Sequence, residues 1–209
     1  MDLKVNDIFH SIEGESTRAG FPCVLIRLTG CNLNCEYCDT LDAKTRGEFM
    51  SDNSIIEKIE NYKTVDHITI TGGEPLLQKN TTALADRLIK MNLHVQIETN
   101  GSISISGIPK NARKIVDIKT PSSGESQSFL MENIELLTLN DELKFVIRNK
   151  EDYSFSKNFI TKHLYNCNAV INFSPVHNEI SPMELAELIL ADNLAVRLNL
   201  QIHKIIGLK

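Results

Sequence analysis

Apolar residues in this chain come in short runs, and six of those runs read as strands: 22–29, 67–71, 94–98, 114–119, 144–147 and 169–174. The first is nearly continuous in apolar residues, as expected of a strand covered on both faces. Arg27 interrupts it, and a charge there calls for an anionic partner. Helical spacing fills the intervals. Ile55, Ile56, Ile59 and Tyr62 share one face of a helix over 54–62, and Pro75 is placed to open a helix that 83–91 continues. Further helical segments fall near 129–137 and 152–163. A clear helix spans 181–191, with Ser181 as N-cap, Pro182 at the first position and Glu184 completing a capping box. Residues 196–200 read as one more strand, leading into Gln201-Ile202-His203. At the start, 8–16 joins a short apolar segment to a polar turn, which an exposed N-terminal hairpin explains equally well.

Repeated alternation of strand and helix gives a parallel sheet with right-handed crossovers. The expected fold is therefore α/β: an open, partial six-stranded βα barrel with parallel strands, residues 1–209 forming a single domain. A doubly wound sheet has the same alternation, and periodicity alone does not separate the two. Polar and glycine-rich stretches at 30–40, 71–75, 99–101 and 117–119 all follow strands, the edge where such sheets bind ligands.

Composition narrows the function classes. A net charge of −5 argues against a nucleic-acid partner, since phosphate neutralisation needs clustered Lys and Arg. No apolar run reaches the length of a membrane span and no signal segment opens the chain, so no membrane partner is expected. Five cysteines, three of them crowded together, favour a reducing cytoplasm over a disulfide framework. Cys23 and Cys167, in apolar surroundings, read as inert core thiols.

The crowded cysteines carry the chemistry. Cys31, Cys35 and Cys38 lie at spacings of four and three within Gly30–Thr40. Three thiolates hold three irons of a [4Fe-4S] cluster and leave the fourth open to a small chelator such as S-adenosylmethionine. A structural zinc site wants four protein ligands, and no fourth Cys or His lies close by in sequence. The segment resembles the cluster motif of the radical S-adenosylmethionine enzymes, with Tyr37 as the aromatic before the third cysteine. Gly72-Gly73-Glu74-Pro75 is similar to that family's GGEP segment, which meets the amino group of the methionine moiety.

A narrower resemblance is to the 7-carboxy-7-deazaguanine synthases. It rests on Ser11–Glu15, Arg27-Leu28, Asp39-Thr40, Thr71–Pro75, Pro121–Gly124 and Gln201–Lys204. It implies a pterin substrate, 6-carboxy-5,6,7,8-tetrahydropterin, contracted to 7-carboxy-7-deazaguanine with loss of ammonia by a 5′-deoxyadenosyl radical. It implies cofactor contacts at Tyr37, Cys38, Asp39, Gly73, Asp117, Ile118 and Lys119, substrate contacts at Ile12, Glu13, Gly14, Arg27 and Thr71, and Mg²⁺ on Thr40. Arg27 would fork a carboxylate; read from the residues alone, it serves equally in a structural ion pair, and Thr40 equally as a loop cap. An electron donor such as flavodoxin or ferredoxin and a homodimer are further implications. The chain departs from many relatives in carrying Glu13 for Gln and Ser16 for Gly, and in lacking a second aromatic between Cys31 and Cys38. A glycyl-radical activating enzyme shares the cluster and barrel without needing Glu13, Arg27 and Thr40. A non-enzymatic metal-binding module has no use for an open iron.

Overall fold

The computed structural model describes residues 2–208; residues 1 and 209 of the expected single domain lie outside them. In chain order it comprises β1 (Asp2–Ile12), β2 (Pro22–Leu28), β3 (Glu48–Ser51), α1 (Asp52–Glu60), β4 (His67–Gly72), α2 (Thr81–Lys90), β5 (His94–Thr99) and β6 (Arg113–Ile118). There follow β7 (Glu142–Ile147), α3 (Lys150–His163), β8 (Val170–Pro175), α4 (Pro182–Ala191), β9 (Arg197–Leu198) and α5 (Ile202–Ile205). One nine-stranded sheet runs in the order β3-β1-β2-β4-β5-β6-β7-β8-β9. From β2 onward every neighbouring pair is parallel, while β1 lies antiparallel between β2 and β3.

All six expected strands are present and form consecutive members of the parallel sheet. The sheet does not close, but it curls. Glu15, just after β1, reaches Lys144 on β7 at 2.7 Å, although β2, β4, β5 and β6 separate the two strands along the sheet. This is an open, partial barrel rather than a doubly wound sheet.

Period-two alternation gives the barrel its two faces. Val24, Ile26, Leu28, Ile68, Ile70, Val95, Ile97, Val116, Leu143, Phe145 and Phe173 turn outward, where they join Ile55, Ile59, Leu84, Leu88, Tyr153, Leu185 and Ile189 in one buried cluster. Burying each such side chain stabilises the fold by about 1.5–3 kcal/mol. The intervening residues, among them Arg27, Thr71, Glu98, Asp117, Lys144 and Ser174, line the inner face around a cavity.

Several local expectations change. The N-terminal hairpin is not a short exposed one: β1 is an 11-residue strand paired with β2, and Glu13 to Ser16 beyond it are buried. The helix opened by Pro75 stops after the 3₁₀ turn Pro75–Leu77 and restarts at Thr81. Gln78 is extended there because its side-chain amide bonds Lys4 N, Lys4 O and Thr29 O at 2.7, 2.9 and 3.0 Å, lacing the break to β1. The segment near 129–137 is a 3₁₀ turn, Met131–Leu136, and the strand expected over 196–200 shrinks to Arg197–Leu198. Ser181 caps α4 as expected, its hydroxyl accepting from Glu184 N at 3.0 Å.

Candidate active site

A cavity of about 650 Å³ lies among the C-terminal ends of the parallel strands. All three crowded cysteines line it, together with Ile12, Glu13, Gly14, Arg27, Tyr37, Asp39, Thr40, Thr71, Gly73, Asp117 and Lys119. The structure thus gathers nearly every site residue expected from the sequence. Ile118 is the exception. Its side chain is fully buried among the helices, because it alternates with Asp117 across the sheet, so only its backbone is on offer to a ligand.

The cysteine loop is fixed against the strand ends by main-chain bonds. Glu74 N donates to Gly30 O at 2.7 Å, Gly30 N to Ala43 O at 2.8 Å and Glu36 N to Ser123 O at 3.0 Å. Gly73 makes the contact possible, since a Cβ there would stand 2.1 Å from Gly30 O and 2.9 Å from the Cys31 Cβ. The Glu74 side chain does a different job. Fully buried, its carboxylate accepts from Leu76 N, Thr99 Oγ1 and Asn100 N at 2.9, 2.9 and 2.7 Å, tying the end of β4 to that of β5.

Cys31, Cys35 and Cys38 are free thiols, each half-buried. Burial pushes the Cys35 thiol up; Lys119 opposes the shift while Asp117 and the other two thiols add to it. Among the described residues no three His, Cys, Asp or Glu side chains converge as a holder for a single metal ion. A closed zinc site demands such convergence, whereas a polynuclear cluster takes one thiolate per iron. Three separate thiols facing one cavity fit the cluster, whose positive irons would offset the burial that disfavours each thiolate.

Around the thiols, Tyr37 sets its hydroxyl 3.1 Å from Thr120 Oγ1, and burial pushes its phenol up to about 12. Asp117 pairs with Lys119 at 2.9 Å yet leaves its Oδ1 buried and without a partner. Thr71 donates to Glu98 at 2.7 Å. Asp39 pairs with Lys204 at 2.6 Å; burial would raise this carboxyl, but the ammonium holds it below its usual range.

Contacts at Arg27 and Thr40 bear on two open alternatives. Arg27 has no carboxylate partner among the described residues: its guanidinium lies 5.1 Å from the centre of the Phe9 ring, and its buried Nε bonds nothing. Thr40 precedes the turn Leu41–Lys44, but its hydroxyl makes no capping bond there. The Glu13 carboxylate is committed to protein donors, accepting from Thr69 Oγ1 and Gln96 Nε2 at 2.6 Å each and from Glu15 N at 3.2 Å. Glu13 lines the cavity with these bonds in place, Oε2 taking two of them and Oε1 only the one from Glu15 N.

Residues to which the sequence assigned no contact complete the wall. Lys144 reaches Glu15 at 2.7 Å and Asp117 at 3.9 Å. Burial would lower its ammonium, but Glu15, Asp117 and Glu98 raise it well above the ordinary lysine range. Gln201 also donates to Glu15, and Ile202 N to Gly14 O at 3.0 Å. The His203 ring packs so closely on Gly14 that a Cβ there would sit 1.6 Å from its Nδ1. The C-terminal segment thus covers the side left open between β9 and β1. The signal for Glu98 and Lys144 was a polar residue at an inward position of an otherwise apolar strand.

Comparison with known proteins agrees with this geometry. The family model described as the radical SAM superfamily matches residues 25–189. A 7-carboxy-7-deazaguanine synthase from Koribacter versatilis is 38% identical, the match covering 98% of this chain and 96% of the relative. Another, from Chlorobaculum tepidum, is 38% identical over 98% of this chain and 94% of its own. The crystal structure of QueE from Escherichia coli superposes with a TM-score of 0.78 at 26% identity, covering 96% of this chain and 94% of that one.

Proposed function

We propose, for a chain that belongs to the radical S-adenosylmethionine superfamily and within it to the 7-carboxy-7-deazaguanine synthases, the conversion of 6-carboxy-5,6,7,8-tetrahydropterin to 7-carboxy-7-deazaguanine with loss of ammonia. The observation that carries this reading is a single cavity holding three free thiols, a glycine strand end and a guanidinium with no carboxylate partner among the described residues. Cys31, Cys35 and Cys38 would hold the [4Fe-4S] cluster. When bound, the cluster and S-adenosylmethionine supply one-electron radical chemistry that no side chain provides. Gly73 lets the strand end pack against Gly30 and Cys31 and would present its backbone to the methionine end of that cofactor, Tyr37 would wall the adenine side, and Asp117 with its unpartnered Oδ1 would accept from a cofactor donor. Asp39, Lys119 and the Ile118 backbone complete that wall.

Arg27 fits a substrate carboxylate, since a half-buried guanidinium without a carboxylate partner among the described residues can take a bidentate acid. Ile12, Glu13 and Gly14 contribute main chain, and Thr71 holds Glu98 in place beside the ring. The uncapped Thr40 hydroxyl is a hard oxygen suited to Mg²⁺. One sheet and one hydrophobic cluster running through the described chain support a single domain. A flavodoxin- or ferredoxin-type donor, a homodimer and a cytoplasmic setting go with the family reading; free cysteines suit a reducing compartment. No helix among the described residues is long and apolar enough to cross a membrane.

The test is anaerobic reconstitution with iron and sulfide, then incubation with the carboxylated tetrahydropterin, S-adenosylmethionine, Mg²⁺ and a reductant. Mass analysis should find the deazaguanine acid and free ammonia. Cofactor cleavage with the pterin left intact would end the substrate assignment while leaving the radical chemistry standing.

A further inference from the structure

We propose that Glu13 is carried as a neutral carboxylic acid in the enzyme ready for substrate, and that through this proton it acts as a positioning residue for the 12–14 wall. Its part in ligand binding rests on the pterin-carboxylate reading above; the location of the proton does not.

The argument begins with a charge balance. Glu13, Glu15 and Glu98 come together inside the barrel, and Lys144 is the ammonium among them. Lys144 is already committed to Glu15 at 2.7 Å, with Asp117 next at 3.9 Å. Glu13 is 4% exposed, and each of its donors is neutral: a hydroxyl, a carboxamide and a peptide N–H. Leaving both it and Glu98 ionised would strand buried charge without a cation, and a proton relieves that cost.

Burial raises the Glu98 carboxyl as well, but the Lys144 ammonium opposes that shift, whereas no cation stands among the donors to Glu13, and the surroundings therefore favour Glu13 as the site of the proton. Beside it the Thr69 hydroxyl can turn over, accepting from the acid and giving its own hydrogen to the Cys23 sulfur it already faces. The neutral acid therefore leaves no donor unmatched. Burial first, then the Glu98 charge, raises the Glu13 carboxyl to about 7. The other groups facing this region are Glu15 and Arg18 on its own segment, Cys23 and, higher in the cavity, Arg27 on β2, His67 on β4 beside Arg18, His94 on β5, and Lys144 on β7. Ionising Glu13 sets it against Glu98 and against an incoming carboxylate, and the residues it would displace are the flanking Ile12 and Gly14.

Infrared pH titration of the protein tests this, comparing wild type with Glu13→Gln and Glu98→Gln. The carbonyl stretch of a neutral acid should be present near neutrality, absent in Glu13→Gln and retained in Glu98→Gln. Affinity for the carboxylated pterin should fall by up to about tenfold per pH unit above the midpoint in wild type and stay flat in Glu13→Gln. A stretch missing from wild type, untouched by Glu13→Gln, or lost only in Glu98→Gln overturns the assignment, as does a flat wild-type affinity. Should Glu13→Gln fail to fold, wild-type denaturation decides. A carboxyl raised from 4.5 to about 7 makes stability fall as pH climbs through that window; no fall removes the proposal. An infrared result as expected with no pterin binding at any pH would instead sink the substrate reading and leave the proton on Glu13.

Discussion

The floor of the barrel and its mouth are built from the same residue types, taken from the same strands, and treat their polar atoms in opposite ways. At the floor, Glu142 is fully buried and receives Thr17 N at 3.0 Å, Arg113 at 3.1 Å and Asn172 at 2.7 Å. Asn172 in turn accepts from Arg197 at 3.0 Å, which also reaches Asn199 at 2.6 Å. In the cavity, Arg27 Nε and Asp117 Oδ1 are buried and bond nothing; among the described residues the other such atoms are Gln96 Oε1, lower on β5 beside Arg113, and Ser128 Oγ. Polar groups buried for structure are normally satisfied, because an orphan costs about 1–3 kcal/mol. The two orphaned groups that line the cavity are thus a sign of a ligand, and the closed network around Glu142 a sign of architecture.

If that contrast is right, mutations at the mouth should remove chemistry and spare the fold, and those at the floor should do the reverse. The largest effect is expected at the thiols. Cys31, Cys35 or Cys38 replaced by Ala should abolish cluster retention and cofactor cleavage together, as read by iron content and deoxyadenosine formation, while Cys23→Ala and Cys167→Ala retain both. At the floor, Glu142→Ala should cost about 3–5 kcal/mol in chemical denaturation, because it strands Arg113 and Asn172. A change under about 1 kcal/mol would mean the network is ornamental.

Next in size, Arg27→Lys should raise KM for the pterin roughly a hundredfold, about 2.8 kcal/mol, with uncoupled cofactor cleavage and stability preserved. Unfolding with affinity intact would move Arg27 to the structural group. Smallest is Thr40→Val, expected to lower turnover roughly tenfold and flatten its Mg²⁺ response, with Thr40→Ser retaining most of it. Wild-type behaviour of the valine variant would leave Thr40 as a loop residue.

The mouth was more legible in the sequence than the floor. Its thiols and glycines are local motifs, and the strands that carry them are apolar enough on both faces to stand out. Thr17, Arg113, Glu142, Asn172 and Arg197, in contrast, are scattered along the chain and meet only because the sheet curls. The same curl hid Glu98 and Lys144, which lie on different strands until register sets them beside the others. β1 escaped for a related reason: Asp7, His10 and Ser11 interrupt its apolar pattern, and only its pairing with β2 and β3 makes it a long strand. β3, four residues with Phe49 exposed, had too little pattern to announce itself. The break at Gln78 could not be foreseen, since its cause lies on β1 and after β2.

The wall that Gln201 and Ile202 form against Glu15 and Gly14 also sets an order of events during synthesis. The thiol loop emerges from the ribosome early and the residues that enclose it come late, so a nascent chain presents its cysteines well before the chamber around them exists. The thiols are open to solvent in that interval. Once residues 201–204 have emerged and docked, later repair of a damaged centre must proceed through the finished mouth or wait for this short segment to lift away.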